Sequence, residues 1–480
     1  MIIDAAAFSE RSGGAPTAAQ QAVATFLSLL ESKLGGRVVF DKRDFPSGRP
    51  ELEHLGILAG RLIDAGVIRV VHERTGLPDE PRMKLWVCDI AGDSLSRAGG
   101  ASLSSHADAL AAALSEALER HVWREEIDYF TAPMVCSARE LAVRNRAFVD
   151  PATIVGYSKA QRRAKRSLQF DDDTKFLFVA GCSLTTGKRT LVPAQLVSAA
   201  PLRDPVTGEF RKEPLIRSRT TNGLATWPTR TGARLAGMLE LVERDAYMIM
   251  WLNQLTLPRL DLDDVSVRYA SVAHLIDYLA RYGLVVHIIP LLTDAPTHAL
   301  CAVVEDTSGQ APRFSVGLKA HRLLPHALEK AVGEALRARA PMRSASPEAA
   351  HKDVHDIGHY DRLDYWAAPD NAHKLEFLVA GETRPVEQKP WESDTEEQHY
   401  ARMVAWLRLA GMECVSVPLT RSRKNVSGLH IEMTLIPALQ PVHLSEKALV
   451  LGGERWHRVP EMFGFEARDE MFTSEPHPFA

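Results

Sequence analysis

The chain has 480 residues, enough for one large core or two to three ordinary ones, and 45% of them are hydrophobic, which excludes disorder of the whole protein. A net charge of −4 and a pI near 6.5 exclude a strong basic field for nucleic acid or an anionic membrane, so any phosphate recognition has to be local. Five scattered cysteines, Cys88, Cys136, Cys182, Cys301 and Cys414, form no C-x-x-C pair; neither a disulfide framework nor a thiolate zinc site fits them, and a reducing compartment does.

The opening residues MIIDAAAFSERSGG lack the order of a secretory signal, and the longest apolar run, LVVHIIPLL, is about half a membrane span. A soluble, cytoplasmic protein without membrane or nucleic-acid partners is expected. Pro16 and a glycine pair bracket apolar residues at helical spacing, predicting a helix from Thr17 to Lys33. ELEHLGILAGRLIDAGVIRVV then reads as a helix running into a strand, and MKLWVCDI as a strand of its own. GGASLSSHADALAAALSEALERHVW reads as a glycine and serine loop, then a long alanine-rich helix starting near Ser105 or His106. KFLFVAGCSLTTGKRTLVPAQLV reads as a hairpin turning at Thr185, Thr186 and Gly187.

TTNGLATWPTRTGARLAGMLELVERDAYMIMW repeats the earlier order of a glycine-containing loop and a helix. A helix, a glycine stop and a strand follow in VAHLIDYLARYGLVVHIIPLL, a strand in HALCAVVED and a helix in PHALEKAVGEALRARAP. YARMVAWLRLAGMECVSVPL is again helix, glycine, strand, and LHIEMTLIPAL a strand. Residues 343–397 are polar and proline-dotted, and EPHPFA is an extended tail because two prolines interrupt it. The expected fold class is α+β, mostly antiparallel sheets packed with helices. FDDDTK is expected to cap a turn, QRRAKR (residues 161–166) to be a solvated face, and Cys182 to be core.

The pattern E-x-x-E-R occurs twice, in EALERH (residues 116–121) and ELVERD (residues 240–245), each on a long helix. Helical spacing puts Glu116 and Glu119 on one face, and Glu240 and Glu243 on another. The plain reading is a pair of solvated faces with Glu116–Arg120 and Glu240–Arg244 ion pairs. Apolar neighbours, Leu114 and Leu118 or Leu239, Leu241 and Val242, argue for partial burial, and buried acids need a counter-charge. Mg2+ takes oxygen ligands and keeps room for phosphate oxygens, so convergent carboxylates suit a metal–nucleotide site with Arg120 and Arg244 on phosphates. Glu334, Arg337 and Arg339 in EALRAR add charge to such a site. The small and hydroxyl residues of GGASLS and TTNGLA, including Asn222, precede the two acidic helices, and neither loop matches a P-loop.

The run TTNGLATWPTRTGARLAGMLELVERDA, with ALSEALERH, ALEKAVGEALRAR and the terminal PHPFA, resembles the YcaO family, specifically the cyclodehydratase component of thiazole and oxazole peptide maturases, from about Met83 to Ala480. The resemblance implies a YcaO-type core at residues 81–480 behind an amino-terminal extension at residues 1–80. It implies ATP and Mg2+ as cofactors and a ribosomally synthesised precursor peptide as substrate, whose Cys, Ser or Thr side chain closes onto the preceding carbonyl to give an azoline. Metal binding then falls to Glu116, Glu119, Glu240 and Glu243. Nucleotide contacts fall to Ser102 or Ser104, Arg120, Asn222, Arg244, Glu334, Arg337 and Arg339, and Pro476, His477, Pro478 and the Ala480 carboxylate reach the active site. The implied partners are a separate leader-peptide-binding protein of the ubiquitin-activating (E1-like or ThiF-like) kind and, optionally, a flavin-dependent azoline dehydrogenase; a homodimer is compatible. This sequence departs from the family at Gly232, where many relatives carry an acid, at Trp227 for glycine, at Arg337 for glutamine, and at Ala480 for a final proline. Two alternatives stay open: another nucleophile, giving thioamides or amidines, and a non-catalytic scaffold that binds ATP or peptide.

Overall fold

A computed structural model describes residues 2–4, 38–39, 52–91, 97–124, 133–345, 353–358, 361–419, 427–468, 470–471, 473 and 475–479; the expected helix Thr17–Lys33 lies outside them. The chain divides into two compact units, the first made of residues 1–125, 226–228 and 420–431, the second of residues 126–225, 229–419 and 432–480.

The first unit is a five-stranded sheet with β1 (Ile2–Asp4), β2 (Val38–Val39), β3 (Ile68–Arg74), β4 (Lys84–Ile90) and β5 (Arg97–Ser102) in the order β2-β1-β3-β4-β5. Helix α1 (Glu53–Asp64) precedes β3, and α2 (His106–Trp123) follows β5, capped by Ser105, whose hydroxyl accepts the Asp108 N–H at 3.1 Å. The alanine stripe Ala109, Ala113, Ala117 on α2 is fully buried. A Cβ on Gly100 would stand 1.9 Å from the Ala109 carbonyl oxygen, so only glycine lets helix and strand lie this close. Two expectations are corrected here. The start of GGASLS is strand rather than loop, because its backbone pairs with β4 from Lys84↔Ser102 to Asp89↔Arg97. The boundary expected at residue 80 cuts a sheet, since β3 pairs with β4 across it, and the unit instead runs to Glu125.

The second unit carries a six-stranded sheet of β6 (Met134–Cys136), β7 (Phe176–Ser183), β8 (Arg189–Pro193), β9 (Leu224–Trp227), β15 (Val415–Pro418) and β16 (His430–Leu435), where β8 pairs with β7 and the rest run β6-β7-β15-β16-β9. By sequence, the ends of β9 and β16 nearest the unit boundaries belong to the first unit. A two-residue pair, β10 (Arg259–Leu260) with β14 (Thr383–Arg384), lies apart. An antiparallel three-stranded sheet has the order β11 (Leu284–Pro290), β12 (His298–Asp306), β13 (Phe314–His321). The principal helices are α3 (Arg230–Asn253), α4 (Ala270–Ala280), α5 (Leu324–Met342), α6 (Asp361–Ala367) and α7 (Glu396–Leu409). The core is continuous from α3 through the three-stranded sheet to Trp366, Trp456 and Phe479.

TTNGLATW is likewise not all loop: β9 begins at Leu224. Strand β13 had no separate sequence signal; its Gly317 serves α5 as Gly100 serves α2, with a Cβ destined for 2.2 Å from the Ala331 carbonyl oxygen and the buried stripe Ala327, Ala331, Ala335 above it. Cys182 is half-exposed at the end of β7, not core, while the other cysteines are buried and none is in a disulfide. Asp171 caps its turn as expected, accepting the Asp173 N–H at 3.1 Å. Among the described residues no helix is long and apolar enough to cross a membrane.

Candidate active site

The same local device occurs three times. A strand turns into a helix, and a glutamate on that helix accepts the N–H of the preceding segment: Gly99 to Glu116 at 2.8 Å, Gly223 to Glu240 at 2.9 Å and Leu318 to Glu334 at 2.8 Å, with sequence separations of 17, 17 and 16. Each uses Oε2 and presents Oε1 to an arginine one turn on. Arg120 lies 2.6 Å from Glu116, Arg244 lies 3.6 Å from Glu240 and Arg337 lies 3.6 Å from Glu334. The second acid of each E-x-x-E-R also takes a backbone donor, Thr226 N–H to Glu119 at 2.6 Å in the first unit and Ala320 N–H to Glu243 at 2.7 Å in the second.

In the second unit these acids converge. Leu318 and Ala320 sit two residues apart on β13, an edge strand of its sheet, so Glu334 from α5 and Glu243 from α3 occupy neighbouring free donors about 7 Å apart along the strand. Arg244 lies among them, bonded to Glu243 and near Glu240. Burial raises the carboxyl pKa of Glu240 and of Glu334 while Arg244 pulls each back, and Glu243 pushes Glu334 further up. Burial also opposes the Arg244 cation, but Glu243, Glu240 and Glu334 outweigh it and raise its pKa. Beside Gly223, Asn222 is buried with its side-chain amide nitrogen lacking any partner, an orphan donor next to the acids.

The tail ends on this cluster. The Arg244 guanidinium lies over the Phe479 ring, 4.2 Å from its centroid. Tyr247, one turn further along α3, meets Phe479 at 5.9 Å and His477 at 6.0 Å. His477 is fully buried with Nε2 2.7 Å from the His443 carbonyl oxygen, and the Pro476 carbonyl accepts the Trp366 indole N–H at 3.0 Å.

The structure thus gathers Glu240, Glu243, Arg244, Glu334, Arg337, Asn222, Pro476, His477 and Pro478 in one unit, and holds Glu116, Glu119 and Arg120 in the same local geometry in the other. Both expected i,i+4 ion pairs exist. Ser102 and Ser104 stay together, their hydroxyls 3.4 Å apart, but differ in exposure: Ser102 is buried with its oxygen accepting the Ser105 N–H at 3.1 Å, and Ser104 is exposed. Arg339 is a correction. It is 1% exposed, paired with Asp306 at 2.5 Å and bonded to the Pro312 carbonyl at 2.8 Å, because its place on α5 faces the core rather than the acids. Ala480 lies outside the described residues. Gly232 supplies the N–H that caps α3, donated to Thr229 at 3.0 Å, and Trp227 is exposed. Missed from sequence were the β13 amides, Lys319 in the field of Glu240, and Phe479; the glycine-plus-alanine-stripe pattern of GLKA and ALEKAVGEA was the available signal.

Among the described residues no group of three His, Cys, Asp or Glu is placed to hold a metal ion, since arginine nitrogens meet the free carboxylate oxygens. The acids still suit a hard cation, being carboxylate oxygen throughout, while the orphan Asn222 amide N–H alongside suits an anionic oxygen such as a phosphate's.

Residues 101–440, well over half the chain, match a family model described as YcaO cyclodehydratase, ATP- and Mg2+-binding. A solved heterocyclase in complex with substrate and cofactor is similar at a TM-score of 0.70 and 19% identity, over 89% of this chain and 57% of that one, so the chain spans little more than half of that protein. YcaO from Methanopyrus kandleri, bound with AMPPCP and Mg2+, gives 0.58 and 16% over 84% and 95% of the two chains. The E. coli microcin synthetase McbBCD complex with pro-MccB17 bound gives 0.59 and 16% over 86% and 97%. An uncharacterized protein in the tfuA 3′ region of Rhizobium leguminosarum bv. trifolii is 24% identical over 342 residues, 67% of this chain and 77% of its own.

Proposed function

The chain belongs to the YcaO family, and from that premise we propose that it is an ATP- and Mg2+-dependent peptide cyclodehydratase. The observation that carries this reading is the convergent set of buried Glu243 with half-buried Glu240, Glu334 and Arg244, roofed by the tail. Three acids and a cation drawn together and partly withdrawn from water are costly to build for stability alone, because desolvating them offsets much of their attraction. Mg2+, when bound, would neutralise phosphate charge; Glu240 and Glu243 would hold it here, and Glu116 and Glu119 carry the same donor pattern in the first unit.

The chemistry asked of this chain is amide activation. The substrate's thiol or hydroxyl adds to the preceding carbonyl carbon, and the new oxyanion takes the γ-phosphoryl group of ATP with release of ADP. The carbon–oxygen bond then breaks with loss of phosphate and the amide proton, leaving a C=N bond in the azoline ring; ATP and peptide thereby yield ADP, phosphate and a peptide lighter by one water. Arg244 is proposed to meet the transferring phosphoryl group, with Arg337 and Asn222 as further nucleotide contacts. A precursor peptide and a separate leader-binding protein are proposed partners, with a flavin dehydrogenase downstream.

The test uses Cys-, Ser- and Thr-rich peptides encoded beside the gene, with any leader-binding protein encoded there. Phosphate release equal to water lost from the peptide supports the reading. ATP turnover with no peptide mass change, or none at all, contradicts it.

A further inference from the structure

The tail is held by more than its own packing, and the holding residues lie on one short stretch. In α6, the Trp366 indole N–H donates to the Pro476 carbonyl at 3.0 Å, and the Tyr365 hydroxyl donates to the Glu475 carboxylate. From the 3-10 helix Pro369–Leu378, Lys374 Nζ donates to Glu475 at 3.0 Å and to the Tyr365 hydroxyl at 2.6 Å. Burial and then Glu475 push the Tyr365 hydroxyl pKa up, so it stays a proton donor to that carboxylate. The stretch is itself fixed: Asn371 donates to the Tyr365 carbonyl at 2.9 Å, and buried Arg362 pairs with Glu446 at 2.5 Å.

This clamp and the acidic cluster share helix α3. Glu240, Arg244, Tyr247 and Trp251 follow one another at spacings of three or four, with Glu243 just before Arg244, which places them along one face. Trp251 meets Trp366 edge to face at 6.2 Å and stacks with Tyr247 at 6.5 Å. Trp366 therefore braces the helix that carries the acids and, through Pro476, the tail segment whose Phe479 ring lies on Arg244. Arg244 is gripped from two sides, by carboxylates and by that ring.

We infer that Trp366, Tyr365 and Lys374 form a clamp that seats the tail so that Phe479 fixes the direction of the Arg244 guanidinium. They are positioning residues, acting through the tail, and the catalytic part of the inference rests on the function proposed above. Misplacing a phosphate-facing group by about 1 Å costs on the order of a hundredfold in rate, so a loose tail is expected to lower kcat far more than it changes the ATP KM.

The experiment compares the full chain with the triple variant Tyr365→Phe, Trp366→Phe, Lys374→Met, which keeps aromatic rings and the aliphatic stem while removing the three residues' bonds to the tail. Hydrogen exchange read by mass spectrometry on residues 475–479 reports seating without any need for nucleotide. The expected result is tail exchange at least about tenfold faster, with α3 protection unchanged. ATP turnover is expected to lose about tenfold or more in kcat with KM within about threefold, and Lys374→Arg is expected to keep the protected tail. Unchanged tail exchange overturns the clamp, and faster exchange with unchanged kcat overturns its action on Arg244. If the wild-type chain turns over no ATP, the functional reading fails, while the exchange data still decide whether the clamp exists.

Discussion

The two E-x-x-E-R helices are the same design at two levels of enclosure. In α2, Glu116 and Arg120 keep side-chain exposures of 29% and 34%, and Arg120 spends a second bond on the Arg97 carbonyl. In α3, Glu240, the counterpart of Glu116, keeps 28%, but Arg244 falls to 12% and Glu243, the second acid, to 4%, with Glu334 adding a third acid and Phe479 lying over Arg244. Identical spacing fixes the ion pair in both; what differs is everything that arrives from elsewhere in the chain. An exposed pair of this kind is worth a few tenths of a kcal/mol, whereas a buried one becomes expensive as soon as a partner is removed.

The largest expected effect lies beside the comparison, on the third helix. Arg339→Ala leaves Asp306 buried and uncompensated and should destabilise the protein by about 3–5 kcal/mol in denaturant unfolding. Arg339→Met with Asp306→Leu should recover most of it, which a phosphate ligand would not allow together with unchanged nucleotide binding. Next comes the comparison itself. Arg244→Gln strands Glu243 and should cost about 3 kcal/mol, while Arg120→Gln should cost about 0.5 kcal/mol or less by the same measurement. Equal costs would mean that the two copies are equally enclosed.

Gly100→Ala and Gly317→Ala probe what the copies share. Each new methyl would meet helix backbone within about 2 Å, and both should lose about 1–3 kcal/mol or more, with similar drops in melting temperature. The smallest effect is on pH. The carboxyls of Glu240 and Glu334 are raised above the ordinary 4.5, so as pH falls they take up protons before an ordinary glutamate does. Mg-ATP binding that needs them ionised should therefore weaken with acidification starting above pH 4.5, and calorimetry across pH checks the direction. Because raised carboxyl pKa values favour the protonated folded state, the same two groups make folding less favourable as pH rises through their folded values.

The acidic pairs, their arginines and both long helices were legible in the sequence because helical spacing alone sets an i,i+4 pair. The strand–helix packing was only half legible. Gly100 and Gly317 were visible as letters, but the demand for glycine comes from helices lying on the strands, a tertiary fact. Arg339 shows the limit most plainly: it stands two residues from Arg337 in EALRAR, and that step of about 200° around the helix turns one toward solvent and the other into the core. Asp306, its partner, is 33 residues away in sequence, and no local pattern announces it. The tail's prolines indicated an extended segment, while its burial against α3 and α6 depended on residues more than a hundred positions earlier.

One titration addresses the central claim, that the enclosed cluster of α3 binds a metal nucleotide: calorimetry of Mg-ATP with the wild-type chain and with Glu243→Gln, which keeps the side chain's size and a carbonyl acceptor for the Ala320 N–H. Saturable wild-type binding that weakens by about a hundredfold or more in Glu243→Gln, with the fold intact by circular dichroism, is the predicted result. Wild-type and variant chains that bind equally, or a wild-type chain that binds no Mg-ATP, would contradict it and leave the acids of α3 as a salt-bridged helix face.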